Sequence, residues 1–237
     1  MEIPIREMAS EERKEYIDAK VQKNADWITT LTKKVNEGII TGENANKMIA
    51  RAMTAREIKT ELAEDKAKRD PLTELYNKRV FKDEYDKLIK KGSPFALLII
   101  DIDDFKKINE NKNLGYLVGD SVLVQTALNL STNLRQLRGN DKENDFICRW
   151  GGEEFAVLLK DVTEKENLQK ISEKLRKVTC ERPFSVNTTN GIQDVPITVS
   201  IGGGIYRGED KGVFFDKVDK LGVKEAKNTG KNKVVVI

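Results

Sequence analysis

The run Phe95-Ala96-Leu97-Leu98-Ile99-Ile100-Asp101 decides the fold. Its apolar residues follow one another without a polar face, so the segment reads as a strand buried on both sides in the middle of a sheet. It ends on an acid, at the end of the strand where α/β sheets commonly place ligands. Outward from this strand, helical and extended patterns alternate. Residues 77–90, 104–109, 120–137, 164–178 and 214–228 read as helices. Residues 147–150 and 154–159 read as strands around Gly151-Gly152, and residues 184–186, 197–205 and 233–237 as further strands. The expected fold is an α/β sandwich with a partly antiparallel sheet.

Upstream the character changes. Residues 1–69 read as helical throughout, with Ser10-Glu11-Glu12 as a helix start, a second stretch over 25–35, breaks at Gly38 and Thr41-Gly42, and a long helix over 43–69. Met48, Ala52, Ala55, Ile58 and Leu62 recur at threes and fours on that long helix and give it one apolar face. Two readings of the face stand side by side: packing on its own domain, or a dimerising stalk. Asp70-Pro71 marks the boundary, because proline disfavours helix at the preceding residue. The division is therefore a helical region over 1–69 and an α/β domain over 70–237.

Composition removes several classes of function. The chain has no histidine, which excludes histidine triads, histidine acid–base catalysis and histidine metal ligands. Its two cysteines, Cys148 and Cys180, have no zinc or disulfide spacing and are expected as small buried hydrophobes. A net charge of +3 is too small an excess for a general nucleic-acid binder. No stretch is long and apolar enough to span a bilayer, and the start lacks a signal-peptide core, so a cytoplasmic location with no membrane contact is expected for this chain.

Chemistry must then rest on carboxylates, lysines, backbone groups and metal ions. Asp101-Ile102-Asp103-Asp104-Phe105-Lys106 brings acids to the end of the buried strand, just before a helix start that favours phosphate. Carboxylates suit a hard cation that shares oxygens with phosphates; the same acids could equally cap the helix. Arg149-Trp150-Gly151-Gly152-Glu153-Glu154-Phe155 reads as a hairpin that needs no acids of its own, yet carries two. Successive strand residues point to opposite faces, so one glutamate can share the face that bears Asp101.

These segments, in order, resemble the GGDEF-domain diguanylate cyclases, with the signature in its GGEEF form. Asp70-Pro71-Leu72-Thr73-Glu74-Leu75-Tyr76-Asn77 resembles the family's opening motif, Asp101–Asn109 its metal and phosphate segment, and Gly115–Asp120 the continuation. Thr198–Gly202 and Ala226–Asn232 resemble its closing motifs, so the likeness covers residues 70–237. The resemblance implies a palm-like domain with a ferredoxin-like mixed sheet surrounded by helices. It implies condensation of two GTP into cyclic di-GMP across a homodimer, with Mg²⁺ or Mn²⁺, two per active half-site. By the same resemblance the Asp101 carboxylate, the Ile102 carbonyl and Glu154 bind the metals, and Glu153 stands next to the 3′-hydroxyl as general base. Phe105 and Lys106 match the phosphate-binding turn. Lys227 and Lys231 match the residues on the β- and γ-phosphates, and Asn109 and Asp120 the pair that reads the guanine edge.

Four departures qualify the match, one of them Gly222-Val223-Lys224-Glu225, which stands where the family usually has a more apolar, aromatic-bearing stretch. Residues 110–114 are two longer than the common spacing, and Tyr116 stands where a histidine is usual. Lys231 replaces an arginine and loses the bidentate fork. The family's product-inhibition motif, Arg-x-x-Asp, is here Lys142-Glu143-Asn144-Asp145. Product inhibition through this site is therefore expected to be weak or absent; tight inhibition by cyclic di-GMP that disappears in Asp145→Ala would show otherwise. Two rival readings remain: a catalytically idle domain used for nucleotide or protein binding, and a related palm-type enzyme with another nucleotide product. The signal received by residues 1–69 and its signalling partner are not legible.

Overall fold

The structure, a computed structural model, describes residues 22–23, 26–111, 117–138, 145–188 and 191–237. The chain forms two compact units, Met1–Glu64 and Asp65–Ile237. Residues 26–36 form helix α1, and left-handed Gly38 (φ 69°) follows it. Thr41 then accepts the Asn44 N–H at 3.2 Å and caps α2 (Gly42–Lys68), within which the unit boundary falls. On α2, Met48, Ile58 and Leu62 of the expected apolar face are 45%, 51% and 58% exposed. The helix start at Ser10 lies outside the described residues.

The second unit follows the order β1 (Tyr76–Asn77), α3 (Lys78–Lys91), β2 (Phe95–Ile102), α4 (Phe105–Glu110), α5 (Leu117–Arg138), β3 (Asp145–Gly151), β4 (Glu154–Lys160) and α6 (Lys165–Cys180). It continues through β5 (Phe184–Thr188), β6 (Gly191–Val195), β7 (Val199–Ile205), α7 (Lys211–Lys217), a π-helical turn (Val218–Val223), α8 (Lys224–Asn228) and β8 (Val234–Val236). The main sheet has the order β1-β3-β4-β2-β7-β8. Its β2-α5-β3-β4-α6-β7 core is the split βαβ arrangement, so the ferredoxin-like expectation holds.

β2 occupies the centre, antiparallel to both β4 and β7, and all eight of its residues are buried. Its two faces feed two cores. Ala96, Leu98, Ile100 and Ile102 face a cluster with Val122, Leu130, Leu168 and Leu175 from α5 and α6. Phe95, Leu97 and Ile99 face a cluster with Phe81, Tyr85, Phe214 and Val218 from α3 and the C-terminal helices. Full burial of one large aliphatic side chain stabilises by about 1.5–3 kcal/mol, so β2 is the most firmly anchored strand and gives Asp101 a rigid base. On the outer side, α3 has a complete set of signals. Asn77 accepts the Val80 N–H at its start, Lys90 and Lys91 fill its last turn, and left-handed Gly92 (φ 64°) ends it.

Four elements differ from the sequence reading. β1 is too short to give an alternation signal and exists because it pairs in parallel with β3. β5 extends to Thr188 and pairs with β6, a strand whose exposed residues hide it. α5 starts at Leu117, before the expected Asp120. The single helix expected over 214–228 is instead α7, the π-turn and α8. Gly222 lies within the π-turn, and a Cβ there would meet the Gly202 Cα at 2.7 Å. Backbone rests directly on backbone at this point.

Candidate active site

The register of the central strands brings the main acids together. Asp101 and Glu154 are cross-strand partners at the shared end of β2 and β4, so their side chains stand on one face of the sheet. Glu153 lies between them and the tip, in the tight turn with Gly152, whose φ of 53° favours glycine. The Glu153 carbonyl accepts the Ile102 N–H at 3.3 Å and ties the turn to the end of β2. Ile102 itself is buried.

Asp101 is 4% exposed, and its two oxygens have different surroundings. Oδ2 receives the Lys227 ammonium at 2.7 Å, delivered by α8. Oδ1 is buried and has no hydrogen-bond partner. Burial pushes the Asp101 carboxyl up to about 6 against the pull of Lys227, and Glu153 and Glu154 add to the rise. Glu154 is raised as well, first by burial, then by Asp219 and Glu153, with Lys227 and Lys78 opposing. An orphaned carboxylate oxygen opposite a second acid fits a hard cation. Among the described residues no three acids gather closely enough to hold an ion alone, so the donor set suits a cation that brings further oxygens with it.

The next two acids do other work. Asp103 is buried and accepts from Ser200 Oγ at 2.7 Å, Thr198 Oγ1 at 2.7 Å and the Asn232 N–H at 2.9 Å. Asp104 adopts a left-handed conformation (φ 54°) before α4 and pairs at 2.8 Å with both Lys107 and Lys231. Those two lysines hold its carboxyl down at about 2.

The remaining expected residues divide. Phe105 is buried in the core cluster beside α5, whereas Lys106 is exposed and pairs with Glu110 at 3.6 Å. Asn109 lies against Gly119 of α5, where a Cβ would meet Asn109 Oδ1 at 1.9 Å, and Asp120 is the next residue of that helix. Asp145 opens β3, and Gly115, Tyr116 and Lys142 lie outside the described residues.

Sequence reading gave no role to one side chain that shapes the hairpin. The Arg149 guanidinium donates to the Gly152 carbonyl from Nε at 3.0 Å and from Nη2 at 2.9 Å. Its Nη1 reaches Asp70 Oδ1 at 3.2 Å. Burial works against the Asp70 charge, but donation from Thr73 and the Arg149 charge prevail and hold the carboxyl below its ordinary value. The separation of 79 positions between Asp70 and Arg149 hides the pair from any local pattern.

A ferredoxin-like sheet with a central acid-bearing strand, an acidic glycine hairpin beside it and lysines on the returning helix defines a recognisable class of α/β domain. The chain belongs to the GGDEF family: the family model described as "Diguanylate cyclase, GGDEF domain" matches residues 67–233. The chain is 35% identical over 170 residues to the response regulator PleD of Caulobacter vibrioides, covering 70% of this chain and 35% of that protein. It thus spans about a third of the length of the curated relatives it matches. Among solved structures, the GGDEF domain of DgcB from Caulobacter crescentus, in complex with c-di-GMP, is 27% identical with a TM-score of 0.62, covering 72% of this chain and 95% of that one. The structure of the coiled coil and GGDEF domain of DgcB shares the fold at 24% identity and a TM-score of 0.68, covering 82% and 98%.

Proposed function

We propose that the second unit condenses two molecules of GTP into cyclic di-GMP, each 3′-hydroxyl attacking the α-phosphorus of the other nucleotide with release of pyrophosphate. The observation that carries this reading is the cross-strand pair Asp101 and Glu154, in which one Asp101 oxygen meets Lys227 and the other is buried without a partner. Asp101, the Ile102 carbonyl and Glu154 would hold two divalent ions, Mg²⁺ or Mn²⁺. Bound there, such ions acidify a hydroxyl and neutralise charge on a leaving pyrophosphate. The chain's own residues do the rest. Glu153, on the rigid turn beside them, takes the 3′-hydroxyl proton. Lys227 and Lys231 give up their present carboxylates for the β- and γ-phosphates. Asn109 and Asp120 read the guanine edge, where a carboxylate accepts from N1–H and N2–H that adenine does not offer. Each domain holds one nucleotide, so catalysis requires two copies facing one another.

The test is product analysis after incubation of purified protein with GTP or ATP and Mg²⁺ or Mn²⁺. Cyclic di-GMP from GTP supports the proposal. Tight GTP binding without turnover, or a product from ATP, overturns it.

Two further outcomes follow from the geometry. Protons and cations compete for the Asp101 oxygens. Nucleotide-free Mn²⁺ affinity, followed by electron paramagnetic resonance, is therefore expected to be level above about pH 7 and to fall about tenfold per unit below about 6. A flat profile across pH 5–8 would remove Asp101 from the metal site. Arg149→Lys keeps the charge but cannot grip both the Gly152 carbonyl and Asp70. It is expected to lower kcat on the order of tenfold to a hundredfold, as small displacements of catalytic groups do, with GTP affinity nearly unchanged. An unchanged kcat would show that the turn holds its shape unaided.

A further inference from the structure

The loop after α8 is built from conformations that L-residues disfavour. Gly230 (φ 120°), Lys231 (φ 60°) and Asn232 (φ 47°) lie on the positive side in succession. Glycine adopts such a conformation freely and asparagine more readily than most residues, so the strain falls on Lys231 and the loop gains from outside support. The structure shows that support. The Asn232 N–H donates to Asp103 Oδ2 at 2.9 Å, and Arg176 Nη1 of α6 donates to Asn232 Oδ1 at 2.5 Å. The same Asp103 carboxylate is fixed from below by Thr198 Oγ1 and Ser200 Oγ, both at 2.7 Å, and its own N–H bonds the Thr198 carbonyl at 2.9 Å. One buried carboxylate thus joins the end of β2, the start of β7 and the strained loop. In that loop, Lys231 projects its ammonium to Asp104, 2.8 Å away.

We propose that Asp103 is a positioning residue: it fixes the 229–233 loop and so sets where Lys231 meets the terminal phosphates of the nucleotide. This rests on the GTP reading given above. Asp103 is committed by both oxygens to protein donors and takes no part as a metal ligand. Its role differs from that of Asp101 two residues earlier, whose Oδ1 has no hydrogen-bond partner.

The test uses 3′-deoxy-GTP, which lacks the attacking hydroxyl, and 3′-deoxy-GMP, which lacks the terminal phosphates as well. Equilibrium binding of each, with Mg²⁺, gives a ratio of affinities that reports the terminal phosphates alone. Lys231→Met is expected to lower that ratio about tenfold, the loss of one charge-assisted contact. Asp103→Asn puts an amide donor against the Ser200 hydroxyl, or against the Thr198 hydroxyl and the Asn232 N–H, and is expected to lower the ratio about equally. The double variant is expected to fall no further, because both changes act through one contact. A wild-type ratio in Asp103→Asn, or effects that multiply in the double variant, overturns the proposal while the GTP reading stands. Absence of 3′-deoxy-GTP binding by the wild-type protein overturns the GTP reading and this proposal with it. Should Asp103→Asn fail to fold, Arg176→Met cuts the loop's other tether from outside the core. A drop of about threefold in its ratio supports the proposal, and an unchanged ratio overturns it.

Discussion

Asp101→Asn is expected to reduce cyclic di-GMP formation by three orders of magnitude or more and to leave the protein folded. The activity loss follows from the site. The substitution removes in one step the charge opposite Glu154 and the negative partner of the Lys227 ammonium. Losing a preorganised charge from a water-poor site typically costs on the order of 10²–10³ in rate, and here a metal ligand goes with it. The retained fold follows from linkage. The folded-state value near 6 lies above the ordinary aspartate value of 3.8, so the group favours the fold when protonated. That contribution is present below about pH 4 and lost as pH rises through about 6. At neutral pH without metal, the ionised carboxylate costs the fold on the order of 2 kcal/mol. Removing it offsets what Lys227 loses, and Lys227, about a third exposed, can turn to water. The metal-free melting temperature is expected to stay within about 4 °C of wild type, the shift that roughly 1 kcal/mol produces in a domain of this size. Calorimetry beside a product assay checks both halves; activity within tenfold of wild type would end the metal-ligand assignment.

Gly202→Ala is expected to be the most damaging single methyl in the molecule. A Cβ there would lie 2.5 Å from the Val223 N, 2.6 Å from the Val218 carbonyl and 2.9 Å from the Gly222 C. All three are backbone, so no rotamer change can relieve the clash, and the π-turn must lift off β7. The turn leads directly into α8, so Lys227 leaves Asp101 as it moves. We expect about 3 kcal/mol or more of lost stability, at the upper end for overpacking, together with loss of activity. Gly203→Ala is the control. Its Cβ would meet the Leu98 Cδ2 at 2.9 Å and the Val236 Cγ2 at 3.3 Å, both side-chain ends that can shift. Its cost should be nearer 1 kcal/mol. Chemical denaturation of the two variants gives the comparison, and equal midpoints would show that the π-turn yields easily.

The strand from Phe95 and the acids around it were legible because their signals are local. An unbroken apolar run can only be a strand covered on both faces, and β2 is covered by two separate clusters. Asn77 and Gly92 bracket α3 by the same local logic. What stayed hidden depends on partners far along the chain. β1 has no pattern of its own beyond its parallel contact with β3. β6 exposes most of its residues and is held by hydrogen bonds to β5. The π-turn answers to Gly202 on another strand, so periodicity alone gave one continuous helix. At the site, the acids of residues 101–104 were visible as a group, but not their division of labour. Burial and neighbours leave Asp101 with an unpartnered oxygen, tie Asp103 to the loop and pair Asp104 with two lysines. Lys106 shows the reverse case: its motif position marks it for phosphate, and in this conformation it pairs with Glu110 on the surface.

The Asp70–Arg149 bridge ties the domain's first segment to its signature hairpin. Each partner also holds its own side, Asp70 through Thr73 and Arg149 through the Gly152 carbonyl. A hairpin transplanted into a foreign scaffold would arrive without its brace unless the opening segment travelled with it.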